Sequence, residues 1–179
     1  MRNNPVAMEI PGYALTYLIK TPTGGSIPGA FSEGLSKKVL RFHSRLPGYE
    51  PTRLIRLRNL AQSWGLAEIL IKDESTRFGL GAFKVLGGSY AVARLLCQEL
   101  GIDIQTTDFD YLKSDALQKR VGHITLVTAT DGNHGRGVAW AAEQLGLRAM
   151  IYMPKGTACS RVENTRCHGA TVEVTDLNY

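Results

Sequence analysis

Ile124-Thr125-Leu126-Val127-Thr128-Ala129-Thr130-Asp131-Gly132-Asn133-His134-Gly135 is the stretch that decides the fold. Its first five residues are apolar or β-branched and predict a buried strand over 124–128. The residues after it are turn formers. His134 to Leu145 then carries apolar residues at helical spacing and stops at Gly146. Arg148 to Met153 predicts a second strand, ended by Pro154. Thr157 or Ser160 caps a helix ended by Gly169, and Thr171 to Val174 predicts a third strand. Strand, helix, strand, helix, strand means βαβ units and a parallel sheet, so the fold class is α/β.

In a parallel α/β sheet, ligands bind beyond the carboxyl ends of the strands, which is where 128–135 falls. Its N–H groups stand at the positive mouth of a helix and suit a carboxylate or phosphate. Gly132 and Gly135 permit tight turns and close backbone approach. Asn133 can donate and accept, and His134 can do either. Asp131 would repel a carboxylate, which makes it a candidate acid/base group. Taken alone, the loop also reads as an Asp-Gly-Asn turn followed by a helix start.

A second loop lies about 45 residues upstream. It runs Phe78-Gly79-Leu80-Gly81-Ala82-Phe83-Lys84-Val85-Leu86-Gly87-Gly88 and opens a helix from Lys84 to Leu100 with Val85, Ala91, Val92, Leu95 and Leu96 as its apolar residues. Each of Gly87 and Gly88 costs a helix interior about 1 kcal/mol against alanine. Either something packs close to the backbone there, or the helix begins later. A lone lysine is ordinarily a surface residue, since an active one needs burial or a cationic neighbour. An amine at one helix mouth and an N–H cluster at another together suggest a carbonyl cofactor held as a Schiff base beside an anion cradle.

The two motifs resemble those of the fold-type II pyridoxal-phosphate (PLP) enzymes, the group of threonine dehydratase, cysteine synthase and the tryptophan synthase β chain. Within that group, Phe78-Gly79-Leu80-Gly81-Ala82-Phe83-Lys84 and Thr130-Asp131-Gly132-Asn133-His134-Gly135-Arg136-Gly137-Val138-Ala139-Trp140 are most similar to the diaminopropionate ammonia-lyases. The resemblance runs from about residue 40 to the end. Asp131, where relatives commonly carry serine, separates the lyases from threonine or serine dehydratases, the alternative reading.

The resemblance implies a three-layer architecture with a small parallel βαβ domain at 84–179. Residues 1–83 would form an arm and part of an incomplete large domain. It implies that Lys84 forms the internal aldimine with PLP and that Asn133 bonds the cofactor's 3-hydroxyl oxygen. Backbone N–H groups of Thr130, Asp131, Gly132, Asn133 and His134 would hold the substrate carboxylate. Lys84 and Asp131 would serve as bases on opposite faces, so that both D- and L-2,3-diaminopropionate are converted to pyruvate and ammonia. It also implies a homodimer for the full-length family. The family's phosphate-binding glycine loop and its pyridine-nitrogen contact lie later in the family sequence. Gly24-Gly25 and Gly87-Gly88 have the wrong context to replace that loop. The expectation is therefore a truncated form, inactive alone, whose sheet leaves apolar faces exposed.

The rest of the chain constrains function less. Its 179 residues carry a net charge of +5, with 44% hydrophobic and 21% charged residues, an ordinary globular composition. The densest basic stretch, Arg53 to Arg58, is interleaved with apolar residues as on a helix. Without a reading motif it is a solvated face, and no nucleic-acid partner is expected. Cys97, Cys159 and Cys167 form no C-x-x-C pair and read as reduced thiols of a cytosolic protein, with no metal. His43, His123 and His168 read as structural or surface residues. Glu9 and Pro11 interrupt the early apolar residues before a signal peptide forms, and no apolar run can span a bilayer.

Residues 1–31, with four prolines, read as an irregular arm. Ser32 can cap a helix to about Arg45 with a stripe of Leu35, Val39, Leu40 and Leu46. Leu54, Leu57, Leu60, Ala61 and Trp64 recur at helical spacing up to Gly65, and Glu68 to Lys72 reads as a short strand. The segment 102–122 reads as a polar connector.

Overall fold

The computed structural model describes residues 33–177 and, as backbone alone, 6–10 and 13–17. The chain divides into two compact units, Met1–Leu35 with Leu54–Lys72 and Ser36–Arg53 with Asp73–Tyr179. In the first unit, β1 (Val6–Ile10) pairs antiparallel with β2 (Tyr13–Tyr17). The expected irregular arm is therefore regular at these ten positions, and the remainder of the arm, with the Ser32 cap, lies outside the described residues.

Helix α1 is Glu33–His43. The stripe expected on it holds at Leu46, which is buried, but Leu40 is exposed and Phe42 and His43 are buried beside Leu46. The aromatic residues of this turn explain the shift. Phe42 packs edge-on against Tyr90 at 5.3 Å and Phe109 at 6.3 Å.

A second correction concerns 54–65. Leu54–Arg56 is strand β3, Arg58–Ser63 is helix α2 and Leu70–Lys72 is strand β4. β3 and β4 pair antiparallel, Leu54 opposite Lys72 and Arg56 opposite Leu70, and the Leu57 N–H continues the ladder to the Ile69 carbonyl at 3.0 Å. The ladder satisfies backbone groups that a helix beginning at Leu54 would have satisfied locally.

The second unit holds the long-range core. Helix α3 is Lys84–Leu100, as expected from its pattern. The segment 102–122 is more than a connector. Helices α4 (Phe109–Leu112) and α5 (Asp115–Val121) bury Phe109, Leu112, Leu117 and Val121 in the core. Then follow β5 (Thr125–Ala129), α6 (Asn133–Leu145), β6 (Arg148–Met153), α7 (Cys159–Arg166) and β7 (Thr171–Val174). The three strands form a parallel sheet in the order β5-β6-β7, with Thr125 opposite Arg148 and Met150 opposite Thr171. Gly146 adopts φ 65° and its N–H closes α6 onto Ala142 and Glu143, the left-handed stop that the glycine predicts.

Fully buried Leu96, Leu145, Ile151 and Met153 each contribute roughly 1.5–3 kcal/mol by leaving water. β5 differs from expectation. Only Leu126 along it is buried, and Val127 is 61% exposed. β5 is an edge of the sheet with β6 as its sole strand partner among the described residues.

Candidate functional site

The lysine loop is shaped by a strained turn. Phe78 has φ 49°, the one non-glycine residue with positive φ among the described residues, and Gly79 and Gly81 follow at 69° and 63°. A bulky residue there costs about 1–3 kcal/mol and needs outside support. Arg77 supplies it. Its side chain is 4% exposed, and all three guanidinium nitrogens donate: Nε to Glu74 Oε2 at 2.8 Å, Nη1 to the Glu50 carbonyl at 2.7 Å, and Nη2 to Thr52 Oγ1 and Glu74 Oε1, both at 3.1 Å. The hydrogen bonds to Glu74 push the guanidinium further above its usual pKa, so it stays charged. The guanidinium also lies over the rings of Tyr49 and Phe78 at 5.2 and 5.8 Å.

The loop delivers Lys84, exposed, to the mouth of α3. His43 Nε2–H donates to the Leu86 carbonyl at 2.8 Å and holds the first turn of that helix. Burial lowers the His43 pKa from 6.5, opposed by that hydrogen bond and helped by the Arg77 charge. The expected structural role of His43 fits this placement.

The cradle loop is built locally. Thr130, at the end of β5, is 1% exposed. Its N–H donates to the Tyr152 carbonyl at 2.9 Å, and its hydroxyl accepts from the N–H groups of Gly132 at 3.1 Å and Gly135 at 3.3 Å. Gly135 is the glycine that packing requires, because a Cβ there would collide with Thr130 Cγ2 and Ile151 Cγ2. Gly132 would meet only the Arg161 side chain, at 3.5 Å, so close packing does not explain it. Thr130 and Gly132 N–H groups already have acceptors, which leaves the N–H groups of Asp131, Asn133 and His134 among the five expected. Asp131, Asn133 and His134 are all exposed.

Two glycines join the loops. A Cβ on Gly137 would lie 3.0 Å from the Val85 Cα and N and 3.3 Å from the Lys84 carbonyl carbon. A Cβ on Gly88 would sit 3.7 Å from the Gly137 backbone. The first alternative for the glycine pair therefore holds: α3 begins at Lys84, and Gly88 is where α6 presses on it. Gly87 has open space. The contact brings the Lys84 backbone against the turn of α6 that follows Asn133. Phe78 stacks on Trp140 of the same helix at 4.8 Å, and Arg136 Nη1 donates to the Leu80 carbonyl at 3.0 Å.

Sequence patterns match this juxtaposition. The profile of a family described as pyridoxal-phosphate dependent enzyme covers residues 45–179. The chain belongs to that family. Diaminopropionate ammonia-lyase of Salmonella typhimurium is 51% identical over 160 residues, covering 89% of this chain and 39% of that protein. The same enzyme from Escherichia coli K12 is 51% identical over 155 residues, 87% of this chain and 38% of that one. The crystal structure of holo diaminopropionate ammonia-lyase from Escherichia coli superposes with a TM-score of 0.80 at 51% identity, over 88% of this chain and 39% of that chain. Threonine deaminase isoform 2 of Solanum lycopersicum shares the fold alone, at 22% identity and a TM-score of 0.54. The fold-type II α/β architecture is thus shown, and this PLP-family chain spans about two-fifths of the length of its curated lyase relatives.

The sequence reading missed three arginines of the site. Arg77 and Arg136 act on the lysine loop. Arg161, on α7, donates from Nη1 to the Asp131 carbonyl at 2.9 Å and stands 3.8 Å from Asp131 Oδ2. Each bonds a main-chain carbonyl distant in sequence, and such an acceptor leaves no side-chain pattern. A cavity of about 550 Å³ opens at the carboxyl ends of the strands beside Thr130, lined by Ala129, Tyr152, Met153, Pro154 and Leu177.

Proposed function

We propose that this chain carries the lysine and substrate-carboxylate half of a PLP-dependent ammonia-lyase acting on 2,3-diaminopropionate. The observation behind this reading is the glycine contact that sets Lys84 against the first turns of α6. The choice of substrate rests on the 51% identity to enzymes named diaminopropionate ammonia-lyase.

The residues present fit the aldehyde end of the cofactor. An exposed amine stands at one helix mouth, and the amide of Asn133 stands at the other. When bound, the cofactor supplies an electron sink for the carbanion that forms at the substrate's α-carbon. Lys84 would hold the cofactor until the substrate's own amine takes its place, and its freed amine could then carry the α-proton. Asn133 would donate to the 3-hydroxyl oxygen. The N–H groups of Asp131, Asn133 and His134, at the positive end of α6, would fix the substrate carboxylate. Asp131, on a separate loop from Lys84 and steadied by Arg161, would serve as the second proton carrier, which suits a lyase that accepts both enantiomers.

Loss of the β-amino group and hydrolysis then leave pyruvate and a second ammonia. The assignment of 84–179 to a small domain is part of the same proposal, supported by the β5-β6-β7 sheet within that range. So are a homodimeric assembly and a cytoplasmic location; the latter is supported by exposed, unpaired Cys159 and Cys167.

Borohydride reduction in the presence of PLP, followed by peptide mapping, should place the pyridoxyl label on Lys84. A label confined to other lysines refutes the assignment. In the whole protein, Asp131→Asn should depress turnover of one enantiomer far more than the other, and equal losses would remove Asp131 from its role.

A further inference from the structure

We infer that Arg136 is a positioning residue: it clamps the lysine loop onto α6 and thereby sets where the Lys84 amine stands relative to Asn133. The inference deepens the reading of Lys84 given above and rests on it.

Arg136 lies one turn beyond Asn133, and its Nη1 donates across 56 residues to the Leu80 carbonyl at 3.0 Å. That carbonyl sits inside the strained turn, between Gly79 at φ 69° and Gly81 at φ 63°, four residues before Lys84. The turn has little ladder of its own. The Leu80 N–H goes to the Arg77 carbonyl at 2.8 Å, and Arg77 binds the turn to 50–52 and Glu74. None of those bonds refers the turn to α6. Arg136 does, and it shares one face of α6 with Gly137, which touches the Lys84 backbone, and Trp140, which stacks on Phe78.

The remaining geometry of Arg136 points the same way. Its Nε is buried without a protein hydrogen-bond partner among the described residues, and Nη1 makes the bond to the Leu80 carbonyl. A charged N–H donor whose acceptor is a carbonyl of the loop ties that loop to α6 at that height. Trp140 and Gly137 supply shape but no directional bond, so they resist sliding less.

Hydrogen exchange on the 179-residue chain is the direct test, with R136Q and R136K beside the wild type. Loss of a charge-assisted bond should speed exchange of the amides at 79–83 about ten- to a hundredfold, while β5, β6 and β7 are unaffected. Unchanged exchange at 79–83 in R136Q overturns the clamp. The second readout is the share of pyridoxyl label on Lys84 after reaction with PLP and borohydride. It should fall in R136Q and recover in R136K. Faster exchange with wild-type labelling would reduce Arg136 to a structural residue and overturn its positioning role.

Should the wild type leave Lys84 unlabelled, the cofactor reading fails, and exchange still decides the clamp. Should R136Q not fold, nitrogen NMR of the wild-type guanidinium decides instead. Hindered rotation of the Arg136 Nη group supports the bond to Leu80, and free rotation refutes it.

Discussion

The lysine loop and the cradle loop each lead into the first turn of a helix, and they are held there by opposite means. The cradle loop is held from within. One hydroxyl, Thr130 Oγ1, accepts two N–H groups of its own loop, and Gly135 closes over it. The lysine loop is held from outside. Its strained Phe78 turn leans on Glu50, Thr52, Arg136 and Trp140, all of them distant in sequence. A local device survives changes elsewhere in the protein. A distributed one makes the position of Lys84 depend on how several segments pack, and substitutions should separate the two.

The largest effect is expected at Arg77. Arg77→Met removes the cation bound to Glu74, 17% exposed, and releases the carbonyl of Glu50. Breaking such a buried pair costs about 3 kcal/mol or more. Denaturant titration should show this loss, with labelling of Lys84 reduced. A loss under 1 kcal/mol would mean that the Phe78 turn holds itself.

The cradle counterpart is Thr130→Val. It keeps the shape of a residue that is 1% exposed and removes the acceptor of two N–H groups. The expected cost is about 1–3 kcal/mol. Its signature should stay local, with faster amide exchange at Gly132 and Gly135 and no change at 79–83. Exchange that spreads to 79–83 would show that the two loops are a single device.

A third effect separates the loops by pH. Burial depresses the pKa of His43 below 6.5, so the folded chain holds it neutral and the unfolded chain binds the proton first. Its contribution is present above about pH 6.5 and is lost as pH falls through the lower, folded value, by at most about 1.4 kcal/mol per pH unit. His43 bonds the Leu86 carbonyl in the first turn of α3. Exchange at the start of α3 should therefore quicken on acidification while the Thr130 loop is unmoved. His43→Gln should flatten that part of the pH profile, and an unflattened profile would place the sensitive group elsewhere.

The same contrast explains what could be read from the sequence. The β5-to-β7 rhythm was legible because each element closes on local signals: apolar runs, Gly146, Pro154 and Gly169. Thr130 to Gly135 was legible as a loop because its turn formers and the Thr130 hydroxyl bonds to Gly132 and Gly135 are local. Leu54–Arg56 was not, since its strand character depends on pairing with Leu70–Lys72, and its spacing fits a helix as well. The buried residues of 109–121 were hidden because short helices leave too few turns to show a period. The arginines were hidden because a guanidinium that binds a remote carbonyl looks like any surface cation. Gly87-Gly88 left a close contact or a later helix start open, and the choice between them, with Gly137 as the partner of Gly88, required the fold.

Arg161 gives the smallest and sharpest test. It is an arginine acting on the cradle loop from outside, through the Asp131 carbonyl at 2.9 Å and the carboxylate at 3.8 Å, so it is the side chain that blurs the contrast. Both side chains are more than half exposed, at 58% and 67%. An exposed pair of this kind contributes within about 0.5 kcal/mol. Arg161→Gln keeps a donor for the carbonyl and removes the charge that faces the carboxylate. If Thr130 alone holds the loop, the denaturation midpoint should barely move and amide exchange at Gly132 and Gly135 should stay as in the wild type. The change should be confined to the Asp131 side chain and, in the whole protein, to the ratio of rates for the two substrate enantiomers. A loss above 1 kcal/mol would mean that the cradle, like the lysine loop, hangs on a distant arginine. The division between a self-held and a distributed loop would then fail at its weakest point.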